Sequence, residues 1–209
     1  MLSIRRVARE ELPVDTTALA RFLIGRVLVR ELARERLAGR IVETEAYLVG
    51  DAASHAFRGR TARNGAMFLE RGHAYVYFIY GTSFMLNVSG EAYGVGAGVL
   101  FRAVEPLEGV ERMRALRGGA PDLDIARGPG RLAAAFAIDR SLDGVDMCAE
   151  GPLWLGDDGA AVPAIGESIR IGITKDADRV LRFYVPGSRF VSGPAKLRGQ
   201  APGQVSDRR

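Results

Sequence analysis

The stretch GRIVETEAY, residues 39–47, predicts a β-strand and decides how the rest of the chain is arranged around it. Glu43, Glu45 and Tyr47 are spaced two residues apart, so a strand points all three side chains to the same face. The segment 26–32, RVLVREL, alternates like a strand, and charged residues that predict a turn follow it. We therefore expect an antiparallel pair of strands that carries two carboxylates and a tyrosine on one surface.

A second stretch, YVYFIYGTSFMLN at residues 75–87, predicts an aromatic β-hairpin. Its two β-like segments, 73–80 and 84–89, are separated by a short turn at Gly81. Tyr80 lies beside that glycine, where a side chain tends to project instead of packing. A projecting aromatic tip has the shape that proteins wedge into a base stack. Most aromatic stretches are simply core, however, and spacing alone leaves both interpretations open.

The other elements follow from start, stop and periodicity signals. Asp15 can cap a helix that ends at Ile24, just before Gly25. The further elements are strands at 95–104, 168–173 and 181–185, helices at 107–117 and 128–138, and a turn-rich stretch at 139–163. No repeat or linker divides the chain. We predict one α+β domain over residues 1–209, with a mainly antiparallel sheet, flanking helices, a protruding hairpin and loosely ordered ends at 1–12 and 194–209.

Composition sets limits on the class of protein. The 209 residues carry a formal net charge of +4 and include a single cysteine, Cys148, which excludes an internal disulfide and a Cys-rich zinc site. His55 and His73 are the only histidines, so we expect neither a metal nor another cofactor. No apolar run is long enough to span a membrane, and the first ten residues are too charged for a signal peptide. We therefore expect a cytoplasmic protein.

The basic excess suits a polyanionic partner without proving one. The sequence pI is about 9.6, and nearly all of the basic residues are arginines, whose planar fork of donors matches phosphate. An arginine bias can equally reflect genome composition. Charge alone does not decide between these two explanations.

The candidate catalytic residues each allow a purely structural interpretation. Two carboxylates on one sheet face cost free energy unless they are solvated, paired with cations or catalytic. Glu43 and Glu45 can therefore form an exposed face with arginine partners, or one of them can be a general base that activates water. Asn87 and Arg102 interrupt apolar strands, and each needs solvent or a partner such as Glu45.

The polar loop 48–66 is long enough to be functional, and it carries His55 among several arginines. A histidine in a loop is most often a solvated surface group. Arg58, Arg60 and Arg63 can bind phosphate, or they can simply keep the loop soluble.

Taken together, these segments resemble the alkyladenine (3-methyladenine, methylpurine) DNA glycosylase family. The matching stretches occur in the same order over residues 13–193. They are GRIVETEAYL at 39–48, HAFRGRTARNGAMF at 55–68, YVYFIYGTSFMLNVS at 75–89, VLFRAVEPLEG at 99–109, GPGRLAAAFAID at 128–139, RIGI at 170–173 and LRFYVPGS at 181–188. Long, ordered motifs of this kind are far more specific than one short pattern.

The resemblance implies an enzyme of base excision repair that acts on double-stranded DNA containing damaged purines. Such an enzyme hydrolyses the N-glycosidic bond of a flipped-out alkylated or deaminated purine and leaves an abasic site. We expect a monomer without cofactors, nucleoid-associated if the cell is bacterial. A lyase would need an amine nucleophile. Because Lys175 and Lys196 lie outside the pocket motifs, we expect no lyase activity.

The resemblance also implies residue roles in catalysis. Glu45 is similar to the general base, while Arg102 and the backbone carbonyl of Ile173 resemble groups that hold the attacking water.

Base and DNA binding are assigned on the same grounds. Tyr47, His55 and Tyr77 resemble the walls that enclose the flipped base, and Asn87 resembles the residue that excludes guanine. Tyr80 resembles the wedge, next to Gly81, and we assign DNA contacts to Arg58, Arg60 and Arg63. The chain departs from the pattern in a loop before His55 that is one residue shorter, and in small residues at Thr82 and Ser83.

Two other functions stay open from the sequence. One is a non-catalytic module that binds damaged DNA on the same fold. The other is a hydrolase of sugars or nucleosides that uses Glu43 and Glu45 as its carboxylate pair.

Overall fold

Strand Arg36–Tyr47 is the axis of the fold because it pairs with three other strands. The structure is a computed structural model that describes residues 2–79 and 81–195. The elements in chain order are β1 (Arg5–Arg6), α1 (Thr16–Leu23), β2 (Val27–Glu31), β3 (Arg36–Tyr47), β4 (Ala74–Ile79), β5 (Ser83–Ser89), β6 (Gly98–Glu108), α2 (Val110–Leu116), α3 (Pro129–Ala135), β7 (Leu153–Asp157), β8 (Gly166–Ile169) and β9 (Val180–Tyr184).

Within the described residues, all nine strands belong to one antiparallel sheet. The strand order is β1-β7-β2-β3-β6-β5-β4, and β8 joins through β9, which pairs with β3. Strand β3 uses one edge for β6 and the other for β2 near its start and β9 near its end. Its carboxylate-bearing segment therefore lies between two strands. The predicted α+β fold with a mainly antiparallel sheet is confirmed.

Helix α1 packs against β3 and forms as its sequence predicts. The Asp15 side chain accepts a hydrogen bond from the Ala18 N–H at 2.7 Å, which satisfies a donor at the helix start. Leu19 and Leu23 are fully buried in the main core. The hydroxyl of Thr44 in β3 donates to the Ala20 carbonyl at 2.9 Å, so one buried hydrogen bond ties the helix to the central strand.

The predicted helix at 107–117 is wrong at its start. Strand β6 continues through Pro106 to Glu108, and α2 begins only at Val110. Proline normally ends a strand because it lacks an N–H donor. Here Pro106 faces Gly39 beside a register shift in the β3–β6 ladder, which removes the need for that donor. Gly109, at φ +72°, then turns the chain into the helix.

Two other segments differ from their predictions. The stretch 139–163, predicted to be turns, contains β7, which pairs with both β1 and β2. The strand predicted at 168–173 is instead Gly166–Ile169, because Arg170 leaves the ladder and turns inward to Asp51.

The chain ends were expected to be loosely ordered, and residues 73–89 were expected to form a hairpin. Arg5–Arg6 pairs with β7, and Leu12 is buried, whereas residues 196–209 lie outside the described residues. Strands β4 and β5 form the expected hairpin, with Ile79 opposite Ser83. Gly81 adopts φ +67° in the connecting turn. Tyr80 lies outside the described residues. Within the described part of the chain, no helix is long and apolar enough to cross a membrane.

A buried carboxylate holds the middle of the sheet together. Glu43 accepts hydrogen bonds from Arg102 Nε at 2.8 Å, from Arg182 Nε at 2.7 Å and from the Ser192 N–H at 2.6 Å. The Glu43 and Arg182 side chains are fully buried. These bonds join β3, β6, β9 and the segment after β9. Glu43 is thus a cross-strand clamp, not part of an exposed face.

The charge of Glu43 is stabilised in the folded state. Burial alone would raise its pKa, but the charges of Arg102 and Arg182 outweigh burial and lower it. A carboxylate with a lowered pKa stabilises the fold fully above its unfolded pKa of about 4.3 and loses that contribution as the pH falls through the lowered value.

We expect Glu43→Gln to lower the free energy of unfolding by about 3–5 kcal/mol at pH 7, because two buried guanidinium groups lose their shared anion. The difference from the wild type should shrink as the pH falls below the unfolded pKa of about 4.3 towards the lowered pKa at which folded Glu43 becomes protonated. Urea unfolding at several pH values measures both effects. Glu108→Gln, at a more exposed ion pair with Arg36, is the matched control and should cost about 1 kcal/mol or less. Equal losses in the two variants would contradict the clamp.

Candidate active site

A cavity of about 330 Å³ opens where β3, β4, β5 and β6 meet the segment that follows β8. Its volume is within the usual range for small-molecule sites, and its lining is mainly aromatic and aliphatic with a few polar groups. The lining residues are Tyr47, Ala53, His55, Met67, Tyr75, Tyr77, Ile79, Met85, Asn87, Leu100, Arg102, Pro129, Ile171, Gly172 and Ile173.

Glu45 lies directly behind the wall of this cavity and is fully buried. Its Oε1 accepts a hydrogen bond from the Ile171 N–H at 2.8 Å and an ion-pair contact from Arg102 Nη1 at 3.1 Å. Its Oε2 accepts from the Tyr47 hydroxyl at 3.1 Å. All three partners line the cavity. A carboxylate offers about four acceptor sites. Three contacts use three of these sites, and the Glu45 side chain has no exposed surface.

The environment of Glu45 changes its acidity in the direction that favours a base. Burial raises the pKa of its carboxyl, and the charge of Arg102 and the Ile171 N–H offset this only in part. Ionised carboxylates with a raised pKa take a proton more readily near neutral pH. Glu43, two residues earlier on the same strand, is shifted the opposite way.

Arg102 bridges the two carboxylates. Its Nε donates to Glu43, its Nη1 contacts Glu45, and its Nη2 donates to the Ser192 hydroxyl at 3.3 Å. Of the two alternatives for Arg102, solvent or a carboxylate partner, the structure shows the second, with both Glu43 and Glu45. The exposed-face interpretation of the two carboxylates is wrong, because both side chains are fully buried, although they do have arginine partners.

The aromatic walls are built from two sides. Tyr47 has the Arg170 guanidinium over one ring face at 4.7 Å. His55 and Tyr77 contact each other edge to face, with ring centroids 4.4 Å apart, and His55 Nδ1 is 2.8 Å from the Tyr75 hydroxyl. Burial lowers the pKa of His55, helped by the charge of Arg63. The direction of the shift favours the neutral imidazole, although His55 as a residue is exposed.

Asn87 is held at the floor between two strands. It faces Tyr75 in β4 and Leu100 in β6, and it is buried. Its Nδ2 donates to the Tyr75 carbonyl at 3.2 Å, which fixes the direction of the amide plane. Ile173, predicted to act through its carbonyl, lines the cavity in the same segment as Ile171.

The loop arginines are exposed, but they do not share one environment. Arg63 lies over the Tyr77 ring at 5.9 Å and donates to the Phe78 carbonyl at 3.3 Å. Arg58 and Arg63 line a side cleft that also includes His55, while Arg60 is fully on the surface. Gly81 is exposed in the hairpin turn.

Sequence reasoning missed several residues that shape the site. Asn64 donates to the His55 carbonyl at 2.8 Å and to the Gly59 carbonyl at 3.1 Å, which fixes the loop around the histidine. Asp51 and Arg170 form a fully buried ion pair behind Tyr47. Nothing in the sequence links positions 51 and 170. Asn64, in contrast, stands in the quoted motif HAFRGRTARNGAMF, so its importance could have been noticed.

Among the described residues, no three histidine, cysteine or acidic side chains come together in a way that could hold a metal ion. The arrangement instead offers a buried carboxylate, a guanidinium and a mainly aromatic and aliphatic cavity.

Comparison with known proteins agrees with this geometry. The Methylpurine-DNA glycosylase (MPG) family matches residues 10–189, which include every lining residue of the cavity.

Three relatives named "Putative 3-methyladenine DNA glycosylase" illustrate the similarity. The Mesorhizobium japonicum protein is 65% identical over 192 residues, 92% of each chain. The Paraburkholderia phytofirmans protein is 53% identical, covering 94% of this chain and 92% of its own. The Methanocella arvoryzae protein is 48% identical, covering 91% of this chain and 94% of its own. A family match over most of the chain and relatives of this similarity place the protein in the methylpurine-DNA glycosylase family.

Proposed function

We propose that this chain is a monofunctional DNA glycosylase that hydrolyses the N-glycosidic bond of an alkylated or deaminated purine flipped out of double-stranded DNA. The observation that carries the proposal is the buried Glu45 carboxylate, whose three partners all line a cavity of the right size for one base. Membership of the family supports DNA as the substrate and methylated purines among the lesions.

The cavity walls favour a flat and often cationic base. Alkylated purines such as 3-methyladenine carry positive charge, and the ring faces of Tyr47 and Tyr77 attract a cation. Neutral His55 stacks or hydrogen-bonds without repelling that charge. Asn87, fixed by the Tyr75 carbonyl, excludes guanine through a clash with the exocyclic amino group.

Glu45 activates the attacking water in this mechanism. The water donates one hydrogen bond to Glu45 and the other to the Ile173 carbonyl. As the C1′–N bond breaks, its electron pair leaves with the base and the sugar becomes oxocarbenium-like. The ionised carboxylate stabilises that charge. The water oxygen then bonds to C1′ as Glu45 takes the proton, and an abasic site results.

Glu43 does not act as a general acid. Its lowered pKa keeps it ionised, and its oxygens are already used by Arg102, Arg182 and Ser192. A cationic base is a good leaving group without protonation, so one carboxylate is enough. This separates the site from that of sugar hydrolases, which use a pair of carboxyl groups in complementary roles.

DNA is held by the surface around the cavity mouth. Flipping a base costs a few kcal/mol. We assign part of the compensation to Tyr80, which fills the gap in the duplex from the hairpin turn at Gly81. Arg58, Arg60 and Arg63 contact phosphates on the loop side of the cavity. Arg63 does so while covering Tyr77.

We expect Glu45→Gln to abolish base release while binding to lesion-containing duplex survives, because the amide keeps the shape of the side chain but cannot take the proton. Release is measured on duplex oligonucleotides that each carry one lesion, and Glu108→Gln is the control with full activity. Unchanged release by the Glu45 variant would exclude Glu45 as the general base.

Binding without release by the wild type would favour a damage-binding module. Activity on free nucleosides would favour a nucleosidase, and nicking of abasic DNA would exclude a monofunctional enzyme.

The rate of base release should fall at acidic pH with a midpoint above the ordinary glutamate pKa of about 4.3. Burial raises the Glu45 pKa, and only the ionised form can accept the proton, so activity is present above that pKa and is lost below it. Single-turnover release of 3-methyladenine from methylated duplex DNA is the suitable measurement, because that base carries a fixed positive charge in the nucleotide and lacks the 2-amino group of guanine. A midpoint below 4.3 would contradict the assignment.

Tyr80→Ser should weaken binding to lesion-containing duplex more than binding to single-stranded DNA, because only the duplex has a gap to fill. Tyr93→Ser is the matched control, since Tyr93 is 69% exposed away from the hairpin. Equal weakening on both forms of DNA would count against a wedge.

A further inference from the structure

The Asp51–Arg170 ion pair lies behind the cavity and takes no part in the reaction proposed above. Both side chains are fully buried. Arg170 binds Asp51 through both terminal nitrogens, with Nη2 and Oδ1 3.0 Å apart. It also donates to the Ala46 carbonyl at 3.0 Å and to the Asp176 carbonyl at 3.2 Å. Four contacts from one guanidinium connect β3, the loop after it and the segment after β8.

Arg170 sets the plane of a cavity wall. Its guanidinium carbon lies 4.7 Å from the centre of the Tyr47 ring and covers one face. The opposite face is the one left for a base. The buried Arg170 Nε finds no acceptor among the described residues, although a lone buried donor is unfavourable. The guanidinium is thus placed to stack on the ring and to bridge three segments, not to satisfy every donor.

The same guanidinium controls the surroundings of Glu45. Ala46, whose carbonyl it binds, lies between Glu45 and Tyr47 in β3. Ile171, the residue after Arg170, donates its N–H to Glu45 Oε1 at 2.8 Å. A displacement of Arg170 therefore moves a donor away from the carboxylate.

Asp51 connects the same ion pair to the loop that carries Ala53 and His55. Its Oδ1 accepts from the Ala53 N–H at 3.0 Å, and its carbonyl accepts from the Ser54 N–H at 2.9 Å. Ala53 lines the cavity, and His55 follows two residues later. The loop that carries His55 is thus anchored to the same ion pair as Tyr47.

We propose that Arg170 and Asp51 are positioning residues that hold the base-stacking wall and the water-activating carboxylate in one geometry. This proposal rests on the proposed function. Its specific content is that stacking of the base and basicity of Glu45 depend on the same buried pair, so one substitution changes both. A pair that contributes only to stability would change neither in the folded enzyme.

The test is Arg170→Lys, which keeps the charge but lacks the planar fork that stacks and binds two oxygens. We expect single-turnover release of 3-methyladenine to slow by about 10- to 100-fold, as for a small misplacement of reacting groups. The midpoint of the fall in rate at acidic pH, called the acidic limb below, should also move to higher pH, because Glu45 loses the Ile171 N–H that lowers its pKa. Arg102, Tyr47 and Glu43, the other groups around Glu45, are unchanged in the variant.

Binding is the second readout. In a Glu45→Gln background, Arg170→Lys should weaken binding to lesion-containing duplex by several-fold while binding to undamaged duplex stays the same. Arg112→Lys is the matched control, at an exposed Arg–Glu pair outside the cavity lining, and should change neither rate nor binding. Asp51→Asn retains a similar shape and should shift rate and pH limb in the same direction as Arg170→Lys.

Three results would overturn the proposal. One is a folded Arg170→Lys enzyme with an unchanged rate and pH limb. Another is a slower rate with an unmoved limb and unchanged lesion binding. The third is loss of folding in both Arg170→Lys and Asp51→Asn by thermal unfolding, which would assign the pair to stability. Absence of base release by the wild type would instead refute the proposed function, so the two failures are distinguishable.

Discussion

One guanidinium between two buried carboxylates is the interaction on which the rest of the structure depends. Arg102 contacts Glu43 and Glu45 at once, and all three side chains lie in the middle of the sheet. Charges of this kind cost several kcal/mol each to bury unless they are paired and hydrogen-bonded. Arg182, Ser192, Ile171 and Tyr47 provide the remaining bonds. The network therefore requires that β3, β6, β9 and the segment after β8 all come together.

The two carboxylates differ because their partners differ. Glu43 has two arginines and a backbone N–H, which lower its pKa despite burial. Glu45 shares one of those arginines and is otherwise bonded to neutral donors, so burial raises its pKa. Two groups on one strand thus acquire separate tasks from their environments. Glu43 holds Arg102, and Arg102 in turn holds Glu45, the proposed general base, against the cavity wall.

Much of the fold follows from local signals. The Asp15 cap, the antiparallel pairing of β2 with β3 and the aromatic hairpin all form where the sequence predicts them. The errors have physical causes that lie outside local sequence. Pro106 stays within a strand because a register shift in the partner strand removes the need for its N–H. Strand β7 is short and gains its stability from its neighbours.

Local sequence signals also predicted part of the site. The period of two in β3 gives Glu43, Glu45 and Tyr47 a common face, but burial of that face depends on β6 and β9, which are distant in sequence. The resemblance to a known family, not periodicity, selected Glu45, Arg102 and the aromatic walls. It did not reveal the Asp51–Arg170 pair, since two residues so far apart meet only in the folded chain.

The central claim is that the pKa values of Glu43 and Glu45 are shifted in opposite directions. The most direct test is a titration of the individual glutamate carboxyl groups by carbon-13 NMR, with assignments from Glu43→Gln and Glu45→Gln. Our account predicts that Glu45 titrates above the ordinary value of about 4.3 and Glu43 below it. If Glu45 titrated below Glu43, or if both followed the ordinary value, the division into a base and a clamp would be contradicted.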